Sequence, residues 1–348
     1  MKTTACLSLL ILFPLAAAGQ PAMEILTERY VDRPVAMHRG QLQFNTGYDF
    51  SIINHKYDLE GNSIDLANDG TASAKHSFPF HLNYGILEFV EVSTSLHYAS
   101  MGIRSQNHQT ETGSGSITTR EIRTYRGADD LQLGLRISNP FRPDFLDASL
   151  YGGVTLPLFD HKPGQPDHRV EFLEPYPGSM DIEYRYHEKF GLGVPTAIMG
   201  ASVKLRSHSF SGTLDGSYSY GMKEGESISW ESRLSGGEIS YREVPYNYEV
   251  GNTVAYAADL AWQAIDWFAV LASFEGFVNT GAWSTETGKK VLEGKTALHS
   301  IGIGYDIQVS PSLRLHQRLL LPYLGSNILA PRVFETGISL NFMIPKPE

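Results

Sequence analysis

The sequence contains a single cysteine, no long apolar run and no excess of basic residues, and each of these features excludes a class of protein. The cysteine is Cys6, close to the N-terminus. We therefore expect the folded part to have no disulfides and no cysteine-ligated metal. The 348 residues carry 28 basic against 38 acidic side chains, a formal net charge of −10. This balance argues against nucleic acid as a partner.

The apolar runs are too short for helical membrane spans. Past the N-terminus the longest is Trp267 to Ala272, whereas a helix needs about 20 apolar residues to cross a bilayer. The mean hydropathy is only −0.20, and there are 33 glycines. A transmembrane β-barrel is compatible with both values, because only alternate residues of its strands face lipid.

The N-terminus has the three parts of a secretory signal peptide. Lys2 is basic, Leu7 to Ala16 are apolar, and small residues follow up to Gly19. We predict a cleaved signal peptide at residues 1–19, with an uncleaved anchor as the alternative. The rest divides into an N-terminal periplasmic segment at 20–39, a barrel at 40–343 and a C-terminal tail at 344–348, located in the bacterial outer membrane.

Period-two alternation, typical of strands with two different faces, recurs along the chain. Between Gly40 and Ile53, every second residue from Leu42 to Ile52 is apolar or aromatic apart from Thr46, and the residues between them are polar or glycine. The pattern predicts twelve strands: Gly40 to Ile53, Phe78 to Ile86, Val92 to Met101, Leu131 to Ser138, Asp147 to Leu156, Phe190 to Leu205, Phe210 to Tyr220, Gly251 to Ala264, Phe268 to Val278, Ala297 to Val309, Leu313 to Tyr323 and Val333 to Met343.

The connections indicate how these strands are arranged. Short links follow every even-numbered strand before the last, and longer segments such as Gly102 to Asp130 lie between them. This alternation predicts an antiparallel barrel with short periplasmic turns, long extracellular loops and both termini in the periplasm. A soluble β-sandwich is the alternative, but strands of about 10 to 13 residues exceed the usual soluble length of about 5 to 6.

Charged and histidine side chains on the inward face are the candidate functional residues. Both signs face one lumen, which fits either a salt-bridge network that fills the barrel or a selectivity constriction. The candidate lumen-lining residues are Asp49, His81, His97, Asp130, Arg136, Asp215, Asp259, Glu275, Asp306, Arg314, His316, Arg318 and Glu335.

Two subsets of these residues suggest more specific chemistry. Arg314, His316 and Arg318 share one face of a strand, where they either bind an anionic solute or neutralise Asp306 and Glu335. His81 and His97 suggest a metal site or a catalytic base, but no third ligand stands at a fixed spacing. We assign no metal, cofactor or catalytic residue, because no hydrolase, phosphate-binding or dinucleotide motif is present.

Several short stretches resemble a known family. They are Asp32-Arg33-Pro34 with the strand from Gly40 to Tyr48, Tyr84-Gly85-Ile86 leading into Val90-Glu91-Val92, Asp130 to Leu135, and Thr155-Leu156-Pro157. Together they are similar to the outer-membrane transporters assigned to the MetA pathway of phenol degradation. The resemblance implies a barrel that takes up aromatic or other small compounds. It supplies no catalytic or binding residues to carry over.

Three functions remain open at this point. The leading hypothesis is a non-enzymatic outer-membrane channel or transporter for small solutes, possibly aromatic or hydrophobic, with outer-membrane lipid and the solute as its partners. An outer-membrane hydrolase would need a serine or aspartate paired with a histidine near the outer rim. A plugged structural or adhesive barrel would instead bind partners through its loops.

Overall fold

A computed structural model describes residues 29–66, 72–112, 115–139, 143–158, 167–174, 178–183, 193–222, 225–235, 238–281, 283–286, 289–292 and 295–344. The predicted signal peptide and residues 345–348 of the predicted tail lie outside these ranges. Within them, a short 3-10 helix spans Tyr30–Asp32. No helix in the described part of the chain is long and apolar enough to cross a membrane.

The described residues form strands almost throughout. In chain order these are β1 (Gln41–Tyr57), β2 (Ser63–Asp65), β3 (Ala72–Leu87), β4 (Val90–Thr112), β5 (Gly115–Ala128), β6 (Leu131–Ser138), β7 (Leu146–Leu156), β8 (Asp167–Glu174), β9 (Gly178–Glu183), β10 (Thr196–Arg206), β11 (Phe210–Gly221), β12 (Gly225–Ser235), β13 (Glu238–Glu249), β14 (Thr253–Ile265), β15 (Phe268–Asn279), β16 (Trp283–Glu286), β17 (Lys289–Leu292), β18 (Thr296–Ser310), β19 (Leu313–Ser326) and β20 (Ile328–Met343).

Twelve of the described strands close into an antiparallel barrel. The ring runs β1, β3, β4, β6, β7, β10, β11, β14, β15, β18, β19 and β20, and β1 closes it by pairing with both β3 and β20. These are the twelve strands that the alternation predicts, and β6 has the predicted bounds. The sandwich alternative is therefore wrong, because a single sheet closes on itself rather than stacking on a second one.

The sixth barrel strand differs from its predicted start. The alternation placed its beginning at Phe190. Residues 190–192 lie outside the described ranges, and Gly193, Val194 and Pro195 precede β10, which begins at Thr196. Proline has no N–H to donate to a neighbouring strand, so it stands at the edge of the ladder rather than inside it.

The longer connections contain strands that the alternation did not indicate. β4 continues to Thr112 and pairs with β5, which is followed in the same sheet by β8 and β9. Strands β12, β13, β16 and β17 form a separate four-stranded sheet. Strands beyond the membrane have no lipid-facing side, so their sequences lack the apolar and polar alternation by which the barrel strands are recognised.

The outer wall of the barrel is apolar along its height. Side chains such as Leu260 and Ile303 are 67% and 63% exposed, and they point away from the lumen on alternate positions of β14 and β18. Water would not tolerate so large an apolar surface, whereas hydrocarbon does. The closed barrel with this apolar band is the architecture of bacterial outer-membrane proteins.

A charge in the middle of the outer wall is expected to destabilise the barrel. Ile303→Arg places a guanidinium near the middle of β18, where a charge facing lipid costs about 2–4 kcal/mol. The free energy of unfolding is measured by denaturant titration of the protein folded into lipid vesicles. Leu59→Arg is the matched control, because Leu59 is 65% exposed but lies past the end of β1. Equal free energies of unfolding in the two variants would contradict the assignment of this outer face to lipid.

Candidate functional site

Residues 29–39, which precede β1, lie inside the barrel at the end where the short turns are. They contact inward-facing side chains of β4, β7, β10, β14 and β18. Val31 and Ala36 are fully buried. We call residues 29–39 the lumen segment.

Carboxylate and amide side chains of the wall bind the backbone of the lumen segment. Asp147 accepts a hydrogen bond from the Val35 N–H at 2.7 Å, and Glu91 accepts one from the Met37 N–H at 2.8 Å. Asp147 is fully buried and Glu91 is 5% exposed. A buried carboxylate is costly without donors, so the lumen segment solvates these two groups in place of water.

Basic side chains hold the same segment through carbonyl oxygens and one ion pair. Lys204 Nζ donates to the carbonyls of Tyr30 and Arg33 at 3.2 and 3.0 Å, and Arg206 donates to the Asp32 carbonyl at 2.7 Å. Arg33 forms an ion pair of 2.6 Å with Asp306, whose side chain is nearly buried.

The aromatic ring of Tyr30 completes this set of contacts. The Arg33 guanidinium lies 4.6 Å from the ring centroid and the Lys204 ammonium 5.6 Å from it, within the range of cation–π attraction. Burial of the side chain raises the pKa of Tyr30 to about 12, so the phenol stays neutral at physiological pH.

Two glycines shape the point where the segment joins the wall. Gly40 has a φ of +78°, a backbone conformation that residues other than glycine rarely adopt. Its N–H donates a hydrogen bond to the Gly85 carbonyl at 2.7 Å. A Cβ on Gly85 would lie 1.9 Å from the His38 carbonyl oxygen. The wall therefore needs a glycine at position 85 for the chain to turn into the lumen.

Farther along the lumen, Arg318 pairs with two carboxylates. It contacts both oxygens of Glu335, at 2.7 and 3.2 Å, and Glu275 at 3.1 Å. Asp49 lies opposite Glu335 in the β1–β20 register, on the same inward face. The lumen therefore carries several acids around one arginine at this height.

A cavity of about 460 Å³ lies between the lumen segment and the wall of the barrel. Its lining includes Arg136, whose Nη1 donates to the hydroxyls of Ser149 and Ser202, both at 3.0 Å. Asp215 accepts hydrogen bonds from Tyr151, at 2.8 Å, and from Ser202.

A second cavity, of about 400 Å³, has a more apolar lining. It contains Ile53, Phe277, Leu298 and Val333 alongside polar groups that include Asp49. Its apolar residues lie at the ends of their strands far from the short turns. Polar and apolar linings thus follow one another along the lumen.

Four of the described histidines, His76, His81, His97 and His299, lie against other rings. The rings of His81 and His97 meet edge to face at 5.2 Å between centroids. His76 and His299 bond tyrosine hydroxyls on the outer wall. In the described ranges no group of three or more histidine, cysteine or acidic side chains is placed to hold a metal.

The remaining predicted residues have separate surroundings. Asp130 accepts a hydrogen bond from the Gly193 N–H at 3.1 Å, just before β10. The His316 ring lies over Gly337, and His316 faces Asp306 in the β18–β19 register. Asp259 and Arg314 line the 460 Å³ cavity. The structure thus brings Arg318, Glu275 and Glu335 into contact but separates them from Arg136 and Asp215.

The lumen segment is the part of the site that the sequence analysis missed. A signal was present, because long polar side chains recur on the inward face within a few positions of the short turns: Glu91, Asp147, Lys204, Arg206, Gln263, Asp306 and Arg314. So many buried polar groups at one height require partners. Their abundance predicts that something fills that end of the barrel, although not which segment.

Comparisons with known proteins show the fold. No family model and no curated protein match the sequence. An outer membrane channel from Pseudomonas putida F1 is similar in structure, with a TM-score of 0.56 and 9% identity over 88% of this chain and 96% of that one. The CymD monoaromatic hydrocarbon channel aligns with a TM-score of 0.45 and 11% identity, over 89% of this chain and 90% of that chain. The translocator domain of the Neisseria meningitidis autotransporter NalP aligns with a TM-score of 0.42 and 10% identity, over 87% of this chain and 89% of that chain.

Removing the charge of Arg318 is expected to destabilise the barrel. Arg318→Met leaves Glu275 and Glu335 facing each other without a cation, at a cost of about 3 kcal/mol, the low end for a buried pair because these side chains are partly exposed. Denaturant unfolding in lipid vesicles measures the loss. Adding Glu275→Gln and Glu335→Gln should restore most of it, and an unchanged stability in Arg318→Met alone would contradict this account.

Proposed function

We propose that this protein is an outer-membrane channel for small solutes whose periplasmic end is closed by the lumen segment. The observation that carries the proposal is that this segment is no part of the wall. It precedes β1, and up to Met37 its described contacts with the wall are made by side chains of the wall, so it can leave the lumen without breaking the barrel's strand pairing.

The proposed solutes are small aromatic or otherwise hydrophobic compounds. The apolar lining of the 400 Å³ cavity, with Phe277, Leu298 and Ile53, supports this choice because it would bind an apolar body. The sequence resemblance to transporters assigned to phenol degradation supports the same class. A cleaved signal peptide at residues 1–19 and delivery to the outer membrane are part of the proposal.

Displacing the lumen segment is expected to open the channel. Gly85→Ala puts a methyl group where the His38 carbonyl lies, so the segment must move away from the wall. Single-channel recording in planar bilayers should show a conductance several times that of the unmodified protein. Gly102→Ala is the matched control, since a Cβ there meets nothing within 4 Å, and its conductance should be unchanged.

Loss of the Arg33–Asp306 ion pair should also favour the open channel. Arg33→Ala leaves the nearly buried carboxylate of Asp306 without its cation. This destabilises the state in which the segment lies in the lumen by about 3–5 kcal/mol. The open fraction in bilayer recordings should therefore rise. A variant lacking residues 29–38 gives the upper limit, and the channel proposal fails if that variant passes neither ions nor small aromatic solutes.

The same contacts also favour a second function, a permanently plugged structural barrel. It predicts that the unmodified protein is silent in bilayers and conducts only when a substitution displaces the segment. Conductance of the unmodified protein therefore decides between the two functions.

A further inference from the structure

We infer that the 460 Å³ cavity is a binding site for a small organic carboxylate, with Arg136 as the group that binds the carboxylate. The inference rests on the proposed channel function and deepens it, because it names the charge and the anchoring group of the solute. The site lies where a solute coming from the outer side meets the lumen segment.

The described hydrogen bonds and ring contact of Arg136 are with neutral groups, and Glu91, the acid opposite it in the β4–β6 register, accepts a hydrogen bond from the Met37 N–H. Arg136 Nη1 bonds two serine hydroxyls, Ser149 and Ser202, and its guanidinium lies 4.8 Å from the centroid of the Tyr151 ring. These contacts fix the plane of the guanidinium. The N–H groups of Nε and Nη2 remain as donors for a ligand. Paired N–H groups on a fixed plane match the two oxygens of a carboxylate.

The serines and the tyrosine are themselves held in place. Tyr151 and Ser202 donate to Asp215, and Tyr151 passes across Gly200, where a Cβ would lie within 2.5 Å of the tyrosine side chain. Asp215 thus holds the two groups that contact Arg136, and no described ion pair joins it to Arg136 itself.

The charges lining the cavity favour an anion. Four basic side chains face two carboxylates there: Arg33, Arg136, Lys204 and Arg314 against Asp215 and Asp259. Arg33 is already bound to Asp306 and Lys204 to backbone carbonyls. With Arg33 neutralised by Asp306, which lies outside the lining, three basic side chains still face two carboxylates in the cavity.

The cavity also suits an organic rather than an inorganic anion. Its volume falls within the range of about 300–1,000 Å³ typical of small-molecule sites. The lumen segment contributes the apolar side chains of Pro34, Val35 and Met37 to the lining, and the wall contributes Ala257. A ring-sized apolar body can lie against these groups while its carboxylate meets Arg136.

Calorimetric titration of the folded full-length protein in detergent with benzoate tests the inference. The unmodified protein should bind benzoate saturably, and Arg136→Gln should weaken the affinity by about tenfold or more, as expected for loss of a charge-assisted contact. Arg136→Lys, which keeps the charge but not the paired N–H geometry, should fall between. Arg126→Gln, at an exposed arginine of β5, is the matched control and should bind as the unmodified protein does.

Two further probes separate the carboxylate from its alternatives. Benzyl alcohol has the same ring without the charge, and its binding should not respond to Arg136→Gln. Phosphate should compete weakly. Equal benzoate affinity in Arg136→Gln and the unmodified protein would overturn the inference, as would phosphate binding as tightly as benzoate.

The outcome is independent of the test of the channel function. Conductance of the unmodified protein, together with benzoate binding that does not depend on Arg136, would support the channel function and rule out the carboxylate site. Arg136-dependent benzoate binding in a protein that never conducts would support the carboxylate site and exclude the channel function. Heat-modifiable electrophoretic mobility shows whether each variant is folded, and Arg136→Lys keeps the test valid if Arg136→Gln does not fold.

Discussion

Hydrocarbon offers no hydrogen-bond partner to a peptide group, so every backbone N–H and C=O inside a membrane must find one within the protein. This chain meets the requirement by closing twelve strands into a ring in which β1 pairs with both β3 and β20. Closure then imposes a second constraint. Each strand has one face toward lipid and one toward a narrow interior, so most charged side chains of the wall are directed into the same space.

The interior resolves this crowding in different ways at different heights. Around Arg318 the charges neutralise one another, with Glu335 and Glu275 in direct contact. At the end with the short turns the wall side chains instead bind the lumen segment, whose backbone N–H and C=O groups serve Asp147, Glu91 and Lys204. A peptide segment suits this purpose because it presents donors and acceptors in alternation, while a solvated lumen would use water.

The two arrangements answer the question that the charge pattern left open. A salt-bridge network and a constriction were alternative interpretations of the inward charges, and the Arg318 cluster has the contacts of a network. The 460 Å³ cavity is different, because Arg136 is surrounded there by hydroxyls and an aromatic ring. Our proposals for function concern Arg136 and its surroundings rather than the Arg318 cluster.

The sequence by itself determined the wall. Alternation with a period of two is a local property, so the strand from Gly40 to Ile53, the bounds of β6 and the inward direction of Arg318 and Glu335 could all be predicted from neighbouring residues. Short links fixed the antiparallel order for the same reason. The predicted strand was wrong at residues 193–195, which precede β10, because alternation alone gave Pro195 too little weight.

Only the tertiary structure decided what the inward residues meet. Arg33 and Asp306 are 273 positions apart, and Tyr151 and Asp215 are 64 apart. Which of them share a height depends on the register between strands and on the path of the segment before β1, neither of which leaves a periodic trace in the sequence. Partners across a closed barrel are set by its closure, and closure is a property of all twelve strands together.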